Sequence, residues 1–136
     1  MQSQEKQLVQ DFFESAFYKD ETVISKYLHP EVTMYWNSSE GFSKLKFNDF
    51  IKLASEMKNS YEALTCETTH LLQENNKISI RFTYHANTIE HPEDDGALAH
   101  FICIWEIKDE KLYEGYIISQ PGDDSIENIT SFIPKK

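Results

Sequence analysis

Glycine and proline are scarce, with four of each in 136 residues. Such a chain has few places to break into long irregular stretches, so most of it is expected in helix or strand. Cysteine is scarce as well. Cys66 and Cys103 match no metal-ligand spacing and read as buried, reduced thiols of a cytoplasmic protein. Basic residues are outnumbered, 13 against 23 acidic, for a formal charge of −10. That field repels phosphate backbones and anionic membrane surfaces, and no basic stripe interrupts it. Nucleic acid and membrane are therefore poor partners, and the charge is expected to serve solubility. No apolar run is long enough to span a membrane, and the polar start Met1-Gln2-Ser3-Gln4 does not read as a signal peptide. The triplet Asn128-Ile129-Thr130 fits a glycosylation acceptor but carries no meaning without secretion.

Aromatic residues, by contrast, make up 13% of the chain. Large rings in a small domain are what lining a cavity requires. The length fits a single domain, 1–136, with a core over about 5–120 and a polar tail over 121–136.

Residues 4–18 repeat Leu8, Val9, Phe12, Phe13, Ala16 and Phe17 at helical spacing, a stripe that must face a deep core. Lys19 to Thr22 interrupt it. A short second helix carries Val23, Ile24, Tyr27 and Leu28 and stops at His29-Pro30. Val32 to Trp36 predict a strand and Asn37 to Gly41 a turn. Phe47, Phe50, Ile51 and Ala54 predict a third helix, capped by Asn48 and ending near Lys58. Four strands follow: Glu62–Gln73, Lys77–Thr88, Leu98–Ile107 and Leu112–Gln120. An acidic loop over 90–96 separates the middle two, and Pro121 stops the last. Helices first and a strand meander afterwards predict helices layered on one face of an antiparallel sheet.

Alternation assigns the faces. Ile78, Ile80, Phe82 and Tyr84 point inward. In the last hairpin both faces are apolar. Phe101, Cys103, Trp105, Tyr113 and Ile117 share one face, while Ile102, Ile104, Tyr116 and Ile118 share the other. The second set needs its own cover, either a second copy in a two-fold homodimer or the tail folded back.

Three stretches carry a family resemblance: Tyr27-Leu28-His29-Pro30-Glu31-Val32 at the end of the second helix, Ile104 to Leu112 around the last hairpin, and Tyr113-Glu114-Gly115-Tyr116 beyond it. In this order they resemble the nuclear transport factor 2-like superfamily, in its SnoaL-like branch related to ketosteroid isomerases and polyketide cyclases. Glu110 stands where that hairpin commonly has glycine. The resemblance implies an α+β, cystatin-like cone: a strongly curved antiparallel sheet covered by three N-terminal helices, with a pocket between. It also locates the family's catalytic groups on this chain. The isomerase base falls at Tyr35, its donor acid at Cys103 and its donor tyrosine near Asp11, and the cyclase base falls at Ile117. None of these keeps the required chemistry.

An aromatic pocket of Tyr35, Tyr84, Phe101, Cys103, Trp105 and Tyr113 is therefore expected, either as a stacking surface for a small apolar ligand or as packed core. An enzyme with relocated groups would rely on His70 and Tyr35, or on a Cys103–His70 nucleophile and base. A dimeric interaction module without a ligand is the third reading. His85 and His100 could meet across neighbouring strands near Glu106 and Glu114, but no ligand spacing supports a metal, and no cofactor signature is present. The acidic loop, with Glu90, Glu93, Asp94 and Asp95, lacks a calcium pattern.

Overall fold

A computed structural model describes residues 3–90 and 96–122. Within them the chain runs α1 (Gln4–Glu14), α2 (Glu21–Tyr27), β1 (Leu28–Ser38), β2 (Gly41–Lys46), α3 (Phe47–Ser60), β3 (Tyr61–Glu74), β4 (Lys77–Thr88), β5 (Gly96–Lys108) and β6 (Lys111–Pro121). The tail beyond residue 122 and most of the acidic loop lie outside the described residues.

Local chemistry sets the helix boundaries. The Ser3 hydroxyl caps α1, accepting from the Lys6 amide at 3.1 Å. Ser15 closes its other end, bonding the Phe12 carbonyl through both its amide and its hydroxyl. The helix is thus shorter than its apolar stripe, yet Phe17 and Tyr18 beyond it remain buried. Asp20, inside the segment that breaks the stripe, caps α2 by accepting from Thr22. At α3 the cap is not Asn48: Asp49 reaches back to accept from the Lys46 amide at 2.8 Å.

The six strands form one sheet in the order β2-β1-β6-β5-β4-β3. This corrects the expected cone. The sheet is mixed, because β1 runs parallel to β6, with Met34 opposite Gly115 and Trp36 opposite Ile117. It is open, with β2 and β3 as its two edges, and it is neither closed nor strongly curved. A parallel pair needs a long crossover, which everything from β2 to β5 supplies. β2 escaped sequence reading because Phe42, Ser43 and Lys44 are all exposed; it exists through its antiparallel pairing with β1.

Helices α1 and α3 cover the inner face. Val9, Phe12, Ile24, Leu28, Ile78, Ile80, Phe82, Trp105 and Leu112 are essentially inaccessible there. Burying each such side chain is worth about 1.5–3 kcal/mol before entropy is charged. Trp105 lies on Gly115, where any Cβ would stand 2.6 Å from the indole ring. Only glycine fits at this point of the sheet.

Candidate functional site

Between α1, α3 and the inner sheet face lies a cavity of about 260 Å³. α1 and the segment after it supply Phe12, Phe13 and Phe17, and α3 supplies Phe50, Leu53 and Met57 from one helical face. The sheet supplies Met34 and Trp36 from β1, Phe82 and Tyr84 from β4, Phe101 from β5 and Ile117 from β6. A bulge between the Tyr84 and His85 pairings lets both Leu98 and Ala99 reach the wall. The rings form an ordered array. Phe82 stacks on Phe101 at 4.9 Å and 10°, and Tyr84 meets Phe101 edge-on at 5.7 Å.

Polar groups at this wall are few, and two of them are engaged. The Tyr84 hydroxyl donates to the Phe13 carbonyl at 3.0 Å, and Trp36 Nε1 donates to Ser119 Oγ at 2.7 Å. Burial pushes the Tyr84 phenol well above its ordinary range, with the thiols of Cys66 and Cys103 and the Tyr18 phenol adding to the effect. Tyr84 therefore stays neutral. Tyr18 is engaged nearby, its hydroxyl accepting from the Leu64 amide at 3.0 Å.

The expected pocket residues divide into separate groups. Tyr84 and Phe101 are on the cavity wall. Trp105 and Cys103 are on the inner face but packed beneath it, and burial raises the Cys103 thiol, as it raises Cys66 to about 12. Trp105 Nε1 has no hydrogen-bond partner among the described residues. Tyr35 is on the outer face, stacked on Tyr116 at 5.3 Å and 13° and donating to Glu114 at 3.4 Å. Tyr113 leaves the wall because β6 carries an extra residue there: Glu106 pairs with Glu114 but Ile107 pairs with Leu112. That bulge buries Leu112, while the Tyr113 ring packs on His29 at 4.9 Å.

A third irregularity moves His70. The β3–β4 register shifts between Thr68 and His70, so Leu71 takes the inner side and His70 is exposed, its Nδ1 2.9 Å from Thr69 Oγ1. The Cys103–His70 pair is not formed. His85 and His100 do not meet either. His100 is opposite Thr83 and bonded to it at 2.9 Å, and His85 contacts Glu67 at 3.5 Å. No cluster of metal-ligating side chains occurs among the described residues. The helix side of the cavity went unassigned in the sequence, although the phenylalanine stripe and the Phe50/Leu53/Met57 spacing both signalled it.

A larger hollow of about 590 Å³ lies where the start of α1 meets the two hairpin turns. Its lining includes Glu5, Asn75, Asp109 and Glu110, a polar surface with no convergent acid–base pair. The inner cavity is the better candidate because it is apolar and bounded by helices and strands.

No family model matches the chain, and neither does any curated protein. Solved structures do. IdmH from Streptomyces antibioticus, a proposed polyketide cyclase, superposes with a TM-score of 0.69 at 10% identity, over 86% of this chain and 92% of that one. An NTF2-like protein of unknown function from Burkholderia pseudomallei gives 0.63 at 12% identity, over 98% of this chain and 100% of that one. An epoxide hydrolase of the LEH-like type from M. tuberculosis gives 0.66 at 9% identity, over 96% and 89%. The fold is the NTF2-like fold, shared with SnoaL-like structures. At these identities the likeness reaches the fold and stops there. Within the NTF2-like fold this chain encloses a buried aromatic cluster consistent with a small-ligand pocket.

Proposed function

We propose that the chain binds a small, flat, apolar compound in the inner cavity. One observation carries this reading. Nine of the fifteen lining residues are aromatic, and none is a carboxylate, an imidazole or an amine. Such a wall can stack and desolvate a ligand, but it holds no group poised to move a proton near neutral pH. The positions that the resemblance gives to the family's bases are Tyr35 and Ile117 here, and neither can act as a carboxylate base. The chemistry of IdmH and of the epoxide hydrolase is therefore not carried over.

Volume limits the ligand. A 150 Å³ apolar cavity takes benzene, so about 260 Å³ suits roughly ten heavy atoms, a bicyclic compound rather than a steroid. Naphthalene is a suitable probe. Titration should change Trp36 fluorescence and raise the melting temperature, since a ligand of the folded state must stabilise it. Ala99→Phe should fill the cavity and abolish both effects. An unchanged melting temperature and fluorescence at saturating naphthalene, together with a well-folded protein, would refute the reading.

A second copy of the chain is the proposed cover for the outer face. Ile102, Ile104, Tyr116 and Ile118 are 44–62% exposed apart from Tyr116 at 43%, and Tyr35 and Phe42 extend the patch. Contiguous apolar surface of this kind marks an interface on a chain otherwise strongly charged. Sedimentation analysis should find a dimer that Ile104→Lys dissociates. A wild-type monomer, or a dimer indifferent to Ile104→Lys, would refute this interface. No described helix is long and apolar enough to cross a membrane. The two unpaired thiols support the proposed cytoplasmic setting, and the single sheet joining every described strand supports one domain.

A further inference from the structure

Resting on the binding reading above, we infer that the cavity takes a one-headed amphiphile: a flat apolar ring system with a single hydrogen-bonding group at one end, met by the Tyr61 hydroxyl at the mouth of the cavity.

Exposure locates the mouth. Phe12, Met34, Phe50, Phe82 and Ile117 are buried and form the closed part of the wall. The half-buried lining residues include Leu53 and Met57 on α3, Tyr61 directly after it, and Leu98 and Ala99 at the start of β5. These two stretches are the sides between which a ligand can enter.

Only three lining side chains carry an N–H or O–H: Trp36, Tyr61 and Tyr84. Trp36 Nε1–H is committed to Ser119 Oγ at 2.7 Å, and the Tyr84 hydroxyl to the Phe13 carbonyl at 3.0 Å. The Tyr61 hydroxyl bonds no group among the described residues. It is not sealed off either, because Trp105 Nε1 is the one buried side-chain N or O without a partner among them. The Tyr61 oxygen is therefore open to a molecule the size of water, on the rim of a wall that is otherwise rings and aliphatic groups. A phenol both donates and accepts, so it serves an alcohol and a ketone alike. It serves one such group. A second polar atom at the far end of the ligand would face phenylalanine rings, unpaired and out of water.

Four probes of matched size test this on the full chain: 1-naphthol, 1-tetralone, the apolar reference 1-methylnaphthalene, and 5-hydroxyquinoline. The last is 1-naphthol with a ring nitrogen diagonally across from the hydroxyl. Tyr61→Phe should weaken 1-naphthol and 1-tetralone, each relative to 1-methylnaphthalene, by about 2- to 10-fold, the value of one net hydrogen bond. Comparing ratios cancels the ligands' own desolvation costs and any general loosening of the site. In wild type, 5-hydroxyquinoline should bind at least about 5-fold more weakly than 1-naphthol. A ratio that Tyr61→Phe leaves unchanged for either probe overturns the inference, and so does 5-hydroxyquinoline binding as tightly as 1-naphthol. Should Tyr61→Phe not fold, Tyr61→Met takes its place, and the quinoline comparison needs no variant. If 1-methylnaphthalene binds and these differences are missing, only the headgroup rule fails. If none of the four binds, the cavity reading fails and the headgroup rule falls with it.

Discussion

Gly115→Ala is the sharpest test of how this core is packed. Gly115 is in the middle of β6, hydrogen-bonded on one side to β1 opposite Met34 and on the other to β5 opposite Trp105. An added Cβ would stand 2.6 Å from two indole carbons and 2.8 Å from a third. Either the ring or the strand must move. The ring is fully buried, with Phe13 6.4 Å away between ring centroids and Ile78 opposite on β4. The strand is held on both sides by its neighbours. At contacts this short overpacking falls in the upper part of its usual range, about 2–3 kcal/mol, and the smaller unfolded-state entropy of alanine returns about 0.4–1 kcal/mol of it.

We expect a net loss of about 1–2.5 kcal/mol. In a domain of this size that lowers the melting temperature by about 4–10 °C. Thermal and urea unfolding followed by circular dichroism would measure it. Trp105→Phe shortens the ring, so in the Gly115→Ala background it should cost less than it does alone, giving a coupling of at least about 0.5 kcal/mol. Gly115→Ala within 0.5 kcal/mol of wild type, or strictly additive double-variant behaviour, would refute the packing argument.

Two further outcomes follow from the same coordinates. Burial raises Cys66 from 9.0 to about 12 and moves Cys103 the same way, so the folded chain keeps thiol protons that the unfolded chain has lost. Stability should be whole below pH 9 and fall between pH 9 and 12, by up to about 1.4 kcal/mol per pH unit for each thiol, and Cys66→Ala should flatten the fall in a urea titration across that range. At the last hairpin Asp109 and Glu110 both have positive φ, 54° and 61°, so Glu110→Gly should relieve left-handed strain and stabilise the chain by about 0.5–1 kcal/mol in the same assay; destabilisation would mean that the Glu110 side chain contributes more than its backbone costs.

Where the sequence was legible, period was the reason. Ile78, Ile80, Phe82 and Tyr84 alternate strictly and are all buried, and the exposed set Ile102, Ile104, Tyr116 and Ile118 was readable from the complementary parity. The phenylalanine stripe of α1 declared a core without declaring a cavity, because periodicity reports which face is buried and not whether the buried volume is filled. Parallel pairing of β1 with β6 was not legible. Val32 to Trp36 read as a strand, but nothing local distinguishes a strand that pairs with its sequence neighbour from one that also pairs with a strand about eighty residues away.

Site residues failed wherever parity was carried through a bulge. Each bulge adds one residue to one strand and exchanges the faces beyond it. Unbroken alternation puts His70 on the same face as Leu64 and Cys66, yet the shift after Thr68 gives the inner side to Leu71. The same alternation puts Tyr113 on the face of Ile117, yet the shift at Ile107 buries Leu112. In both cases a polar side chain left the interior and leucine faced it. The bulges thus removed from the inner face the imidazole nominated as a base and one of its phenols. The scarcity of acid and base groups at the cavity wall is in this sense built into the strand register.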